Sequence, residues 1–272
     1  MIKQAIIPLA GLGTRLLPLT SVVPKELLPI NGKPGLEYIL DECLEAGITE
    51  IIFVISNKKK IIKKYFYSDS FFKQIIKKRK DKRIKREYLK IKKIKKMIKF
   101  VYQNSPRGTG DAILRCKKFI KSNYFLMLLP DDLIIKKNCS TEMIKLHNKY
   151  NSSIIASKKV SNKDVSRWVI FNLKKINKRN FLINDVIEKP SIKFAPSKYA
   201  VIGRYILSSK IFKILKKQKP GKNGEIHITD AIRTMIRNKN KFIGHIFAGK
   251  YLDCGTMKGY VNSSIKMSRS SL

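Results

Sequence analysis

The chain has 272 residues, 43% of them hydrophobic, a length and composition that suit one large domain with a substantial core and exclude disorder throughout. Its 59 Lys and Arg against 19 Asp and Glu leave a net charge of +40, which attracts anions without choosing among them. No stretch approaches the roughly 18 consecutive apolar residues of a membrane span, no cleavage pattern follows Met1, and Cys43, Cys116, Cys139 and Cys254 form no paired spacing, so a cytoplasmic protein with reduced thiols is expected.

In chain order, residues 4 to 9 form a short apolar run that ends at Ala10-Gly11-Leu12-Gly13-Thr14-Arg15, the pattern of a buried strand entering a glycine loop and then a helix. From Leu36 to Ala46 the apolar residues 36, 39, 40, 43 and 44 share one helical face, and Gly47 supplies the stop. Further β-branched or apolar runs at 50–56, 100–103 and 124–129 read as strands, apolar on both faces. This strand, helix, strand rhythm gives the α/β class, with a doubly wound, mixed but mostly parallel sheet. Residues 73–99 carry spaced Ile, Leu, Met and Tyr among dense Lys and Arg, which predicts one or two surface helices with a thin apolar stripe. After Asp131 the runs 153–156, 169–173, 181–187 and 200–207 predict extra, shorter strands, with 174–180 as a polar connection. Residues 228–237 predict a helix capped by Thr229 or Asp230. His147, His227 and His245 share no spacing and read as structural, and Trp168 reads as core packing.

The glycine loop after a strand lets backbone N–H groups approach phosphate oxygens. It is neither G-x-G-x-x-G, since Leu16 stands where the third glycine would be, nor a Walker A loop, since no G-K-[ST] follows. Arg15 in the loop and Lys25 in Pro24-Lys25-Glu26 add two cations suited to a triphosphate. The large positive charge raises RNA as a rival partner. However, Lys, Ile and Asn share A+T-rich codons, and base composition alone would give this profile, so no specific nucleic-acid partner is expected. The stretch 73–99 interleaves no aromatic beyond Tyr88 to stack bases.

Residues 9–18 (LAGLGTRLLP) followed by 23–29 (VPKELLP) resemble the signature of the sugar-1-phosphate nucleotidyltransferases, and within them most closely the UTP–glucose-1-phosphate uridylyltransferases. Gln103 with Arg107-Gly108-Thr109-Gly110-Asp111-Ala112, Leu129-Pro130-Asp131, Glu188-Lys189-Pro190 and Ala200–Tyr205 agree in order; Gly224–Ile232 and Asp253–Tyr260 favour the uridylyl branch over the thymidylyl branch. The resemblance implies a single nucleotidyltransferase domain with a nucleotide half at 1–131, a sugar half at 132–260 and a short tail at 261–272. It also implies UTP and glucose 1-phosphate as substrates and Mg²⁺ as cofactor. By the same resemblance Ala10, Gly11, Gly13, Gln103 and Gly108 hold the nucleotide, and Arg15 and Lys25 the triphosphate. Glu188 and Gly203 hold the sugar, Lys189 the sugar phosphate, and Asp131 and Asp253 the Mg²⁺, with Asp131 preferred to Asp132 because it follows Pro130.

Three departures stand out. Where the family has an aromatic-Gly-Val step, Ser166-Arg167-Trp168-Val169-Ile170 has no glycine, so a change on the hexose side is expected. Asp111 replaces a frequent His. The chain stops at Leu272, short of the helical tail that can join subunits in longer relatives, and a homo-oligomer stays an open alternative. Thymidylyl transfer, or an inactive RNA-binding relative, is the competing reading.

Overall fold

The computed structural model describes residues 2–79, 81–221 and 224–269. Its strands are β1 (Gln4–Pro8), β2 (Pro29–Ile30), β3 (Lys33–Pro34), β4 (Glu50–Ile55), β5 (Ile98–Tyr102), β6 (Tyr124–Leu128), β7 (Asp132–Ile135), β8 (Ser153–Lys159), β9 (Val169–Lys175), β10 (Asn180–Glu188), β11 (Tyr199–Ser208), β12 (Phe242–Ile246) and β13 (Lys250–Asp253). The helices are α1 (Gly35–Glu45), α2 (Lys60–Tyr67), α3 (Ser70–Lys78), α4 (Lys82–Met97), α5 (Gly108–Arg115), α6 (Cys139–Tyr150), α7 (Ile211–Lys217), α8 (Ile228–Arg237) and α9 (Met257–Ser268).

A nine-stranded sheet runs β5-β4-β1-β6-β11-β8-β12-β10-β9. Strands β5, β4, β1 and β6 are mutually parallel, and antiparallel pairs dominate from β11 onward. A contact of Ala200 with Ile170 pairs β9 back onto β11, so the last five strands curl into a closed ring. The parallel strands are covered on both sides, as their two-faced apolar character demands. Ile7, Phe53, Ile55, Leu126 and Leu128 face one core with α1, α2, α4 and α6, whereas Ile6, Ile52, Val54, Phe125 and Met127 face another with α5, α7 and α8.

The Lys-rich stretch forms the two helices α3 and α4, of which Ile91 and Ile94 reach the core. Tyr88 lies against Phe72, ring centroids 6.2 Å apart, rather than standing out as a base platform. Three local expectations are corrected. The glycine loop leads into a single 3-10 turn, Thr14–Leu16, and not a helix, so it carries little of a helix's terminal charge. Helix α8 starts at Ile228 with His227 at its N-cap, and Thr229 and Asp230 lie inside the first turn; the Ile228 N–H is satisfied by Thr109 Oγ1 at 3.3 Å. The polar connection at 174–180 is shorter than expected, because β9 runs to Lys175 and β10 begins at Asn180. No helix among the described residues is long and apolar enough to cross a membrane.

Candidate active site

The loops at the C-terminal ends of β1, β5 and β6 enclose a cavity of about 440 Å³. This is where open α/β sheets bind ligands, because the strand order reverses outward from β1. Ala10, Gly11, Gly13, Arg15, Lys25, Gln103, Gly108 and Asp131 all line it, so eight sequence-predicted residues meet in one place. Gly13 has φ 75°, a left-handed conformation that turns the chain back so that Leu16 N–H reaches its carbonyl at 2.9 Å.

Charge is concentrated at one side. Lys25 Nζ donates to Asp131 Oδ2 at 2.8 Å, and Arg15 Nη2 lies 3.6 Å from the same oxygen. Burial pushes the Asp131 carboxyl up, but the charge and hydrogen bond of Lys25, with Arg15 behind it, hold it below the ordinary carboxylate range. Burial likewise works against the Lys25 ammonium, and Asp131 and Glu26 outweigh it to raise its pKa. Arg15 is the exposed member, with 67% of its side chain open to solvent.

Lys25 sits in a 3-10 turn, Lys25–Leu27, whose next residue is anchored underneath. Glu26, its side chain fully buried, takes hydrogen bonds from Lys59 Nζ on both carboxylate oxygens at 2.8 Å. Lys59 comes from the turn after β4 and is itself buried, which lowers its pKa despite the pull of Glu26. Sequence reasoning missed this pair, since one Lys among dozens carries no signal of its own.

The two expected metal ligands lie 122 positions apart in the chain, and a small ribbon joins them. Strand β13 pairs antiparallel with β7, setting Asp253 opposite Asp132, and Cys254 N–H donates to the Asp131 carbonyl at 2.8 Å. A Cβ placed on Gly255 would lie 2.8 Å from Asp131 Oδ2 and 3.4 Å from Asp253 Oδ1, so both carboxylates face the space beside that glycine. Asp132 plays a different part, accepting the Gly203 N–H at 2.9 Å and the Tyr251 hydroxyl at 2.6 Å. Burial and the neighbouring Asp131 charge push its carboxyl up to about 6.

Glu188, Lys189 and Gly203 do not line the cavity. Glu188 and Lys189 are exposed at the end of β10, 3.7 Å apart, and Lys189 has φ 43°, held by donating its N–H to the Trp168 carbonyl at 3.0 Å. Burial, then the charges of Asp132, Glu188 and Asp131, push the Tyr205 hydroxyl up. Gly203 donates to Asp132 and accepts from Leu129 N–H at 2.8 Å, so its backbone groups are committed within the protein. Arg204, fully buried, binds Glu42 on α1 and the Leu129 and Gly203 carbonyls, fixing the strand ends behind Asp131. Val169 stands opposite Glu188 in the β9–β10 register, and Trp168, half-buried, packs against the hydrophobic core as expected, with its ring at a steep angle to that of Tyr251.

Glu225 and His227, which the sequence does not mark as site residues, also line the cavity. His227 lines the cavity, whereas His147 and His245 bond within the protein to Ser152 and to Asn180 and Glu142. Their segment docks onto α5 through Gly110 N–H to Ile226 carbonyl at 2.7 Å and Ile226 N–H to Arg107 carbonyl at 2.8 Å. The approach needs glycine: a Cβ on Gly108 or Gly110 would fall 2.6 or 2.7 Å from the Ile226 carbonyl oxygen. The motif around Gly108 thus signalled a backbone contact with residues 225–227.

The family model described as nucleotidyl transferase matches residues 4–270. The chain belongs to the nucleotidyl transferase family. The UTP–glucose-1-phosphate uridylyltransferase of Streptococcus pyogenes is 38% identical to this nucleotidyl transferase over 272 aligned positions, covering 97% of this chain and 88% of that protein. A solved UDP-glucose pyrophosphorylase complexed with UDP-glucose matches with a TM-score of 0.86 at 36% identity, covering 99% of this chain and all of that one. The UTP-bound UGPase from Acinetobacter baumannii matches with a TM-score of 0.88 at 30% identity, covering 98% of this chain and 93% of that one.

Proposed function

We propose that this nucleotidyl transferase moves the uridylyl group of UTP to glucose 1-phosphate, giving UDP-glucose and pyrophosphate. The observation that carries the reading is the convergence of Arg15, Lys25 and Asp131 at the end of the glycine loop, with Asp253 across Gly255. The activities named for its relatives agree with it.

An oxygen of the glucose 1-phosphate phosphate attacks the α-phosphorus of UTP in line. A new P–O bond forms, the bond from the α-phosphorus to the bridging oxygen breaks, and pyrophosphate leaves with the electron pair. The nucleophile is already an anion, so no general base is required. The barrier lies in bringing polyanions together and in the charge that develops on the phosphoryl oxygens, which fixed cations and positioning lower. Arg15 and Lys25 hold the triphosphate, and Lys189 orients the incoming phosphate. The backbone at Ala10, Gly11 and Gly13 carries the nucleotide beside Gln103 and Gly108, and Glu188 takes sugar hydroxyls near Gly203.

The donors suit Mg²⁺, which Asp131 and Asp253 would hold. No group of three or more His, Cys, Asp or Glu that could hold a metal occurs among the described residues, and two hard carboxylates completed by phosphate oxygens and water are what this ion accepts. When bound there it supplies charge neutralisation and Lewis-acid polarisation of the phosphoryl oxygens. The reading is tested by chromatography of a reaction with UTP, glucose 1-phosphate and Mg²⁺. Equimolar UDP-glucose and pyrophosphate that vanish with a chelator are expected; no sugar nucleotide from any UTP and sugar phosphate pairing would refute it.

A further inference from the structure

Gln103 is 5% exposed and stands at the end of β5, its backbone N–H bonded to the Ile55 carbonyl at 2.8 Å. Its side-chain amide is committed on one side only. Nε2 donates to Asp111 Oδ2 at 2.8 Å and to the Gly108 carbonyl at 3.0 Å, which uses both of its hydrogens. Asp111 is a carboxylate paired with Arg115 Nε at 2.7 Å, so it offers acceptors and no donor. The amide cannot turn over without setting its oxygen against the Asp111 carboxylate and the Gly108 carbonyl. Oε1 accepts no hydrogen bond from any described residue, and Gln103 lines the cavity.

The place of this oxygen in the cavity follows from the sheet. Gln103 follows β5 and Asp131 follows β6, on opposite flanks of the β1 loop and three strand intervals apart. At about 4.8 Å per interval the separation is about 14 Å. The cations Arg15 and Lys25 cluster at the Asp131 end and mark where phosphates go. The base of a nucleotide then lies toward Gln103, among Pro106, Gly108 and Ala112.

We propose that Asp111 determines base selectivity by locking the Gln103 amide with its carbonyl oxygen toward the cavity, so that the site takes a pyrimidine whose N3 bears a hydrogen and rejects one whose N3 is an acceptor. Uracil donates from N3 to Oε1; cytosine brings a lone pair against it and leaves two buried acceptors facing each other. Asp111 is a positioning residue that acts through Gln103. The inference rests on the nucleotide reading of the cavity.

The test is the equilibrium affinity of the folded protein for UTP and for CTP, measured by calorimetry. Wild type is expected to favour UTP by roughly tenfold or more, the size of an unsatisfied buried acceptor. Asp111→Leu removes the carboxylate from the lock and leaves only the longer bond to the Gly108 carbonyl, and the ratio is expected to fall at least roughly fivefold because CTP binds more tightly. Asp111→Ala gives the same comparison if Leu disturbs α5. Asp111→Asn keeps an acceptor but adds a donor that a turned Gln103 amide can use, so its ratio is expected to fall between those of wild type and Asp111→Leu. A merely structural role would weaken both nucleotides alike and leave the ratio unmoved, which would overturn the assignment. Gln103→Ala separates the two levels of the argument. A ratio unmoved by it overturns the premise that the base meets Gln103; a ratio lost in Gln103→Ala but kept in Asp111→Leu and Asp111→Ala overturns the role of Asp111 alone.

Discussion

Replacing Lys59 by Met removes the charge that directly pairs with a fully buried Glu26. The Glu26 side chain is 0% exposed and Lys59 7%, with both carboxylate oxygens 2.8 Å from the ammonium. Breaking a buried pair from one side costs about 3 to 5 kcal/mol, because the remaining charge stays out of water without a partner. For 272 residues the unfolding entropy is about 0.6 kcal/mol/K, so the midpoint of thermal unfolding should fall by about 5 to 9 °C. Lys59→Met/Glu26→Met replaces both charges with apolar chains of similar length and should recover most of that loss. Turnover should not recover with it. The turn that carries Lys25 has lost its tether to β4, and a misplacement of about 1 Å at a reacting centre can cost on the order of a hundredfold. Calorimetry and pyrophosphate release on the single and double variants read the two effects separately. A single variant that loses less than about 1 kcal/mol, or a double variant no more stable than the single, would refute the reasoning.

Other perturbations have equally definite outcomes. Asp131→Asn removes a proposed metal ligand and the charge that Lys25 and Arg15 answer, so turnover should drop by roughly a hundredfold or more and the Mg²⁺ needed for half-activation should rise, as a metal titration would show. Gly110→Ala sets a methyl group 2.7 Å from the Ile226 carbonyl and should destabilise the fold by about 1 to 3 kcal/mol while weakening nucleotide binding, measured by denaturant unfolding and UTP titration. Burial lowers the His245 pKa below its ordinary value, against the hydrogen bond to Glu142, with Arg179 adding to the depression. A base whose folded-state pKa is depressed contributes stability that is fully present above its unfolded pKa of about 6.5 and is lost as pH falls from there through the lower folded value. Denaturant curves at several pH values should therefore show a decline on the acid side that His245→Gln flattens.

Much of the segment 1–131 was legible because its signals are local. The apolar alternation that buries Ile6 on one face and Ile7 on the other can be read directly, as can Gly47 at the end of α1, whose φ of 76° only glycine adopts at little cost. The glycine loop and the Pro-Lys-Glu turn were visible as motifs, and the structure brings them together with Asp131. What escaped depends on partners far apart in sequence. The β7–β13 ribbon that sets Asp253 opposite Asp132 consists of four-residue strands too short to show a period. Arg204 and Glu42 form a fully buried pair across 162 positions, and in a chain with 59 basic residues neither stands out. The cap of α8 was misplaced because Thr229 and Asp230 are good capping types, whereas the observed start takes its hydrogen bond from Thr109 on another element. The place of His227 at the cavity follows from the docking of 225–227 onto Gly108 and Gly110, which no local pattern signals.

The central claim is that Arg15, Lys25, Asp131 and Asp253 serve uridylyl transfer to a sugar phosphate. Its most direct test is the rate of pyrophosphate release by the purified protein with glucose 1-phosphate and Mg²⁺, comparing UTP with dTTP. The account predicts release that requires the sugar phosphate and the metal and is faster with UTP. Faster turnover of dTTP, or no release with either nucleotide, would contradict it.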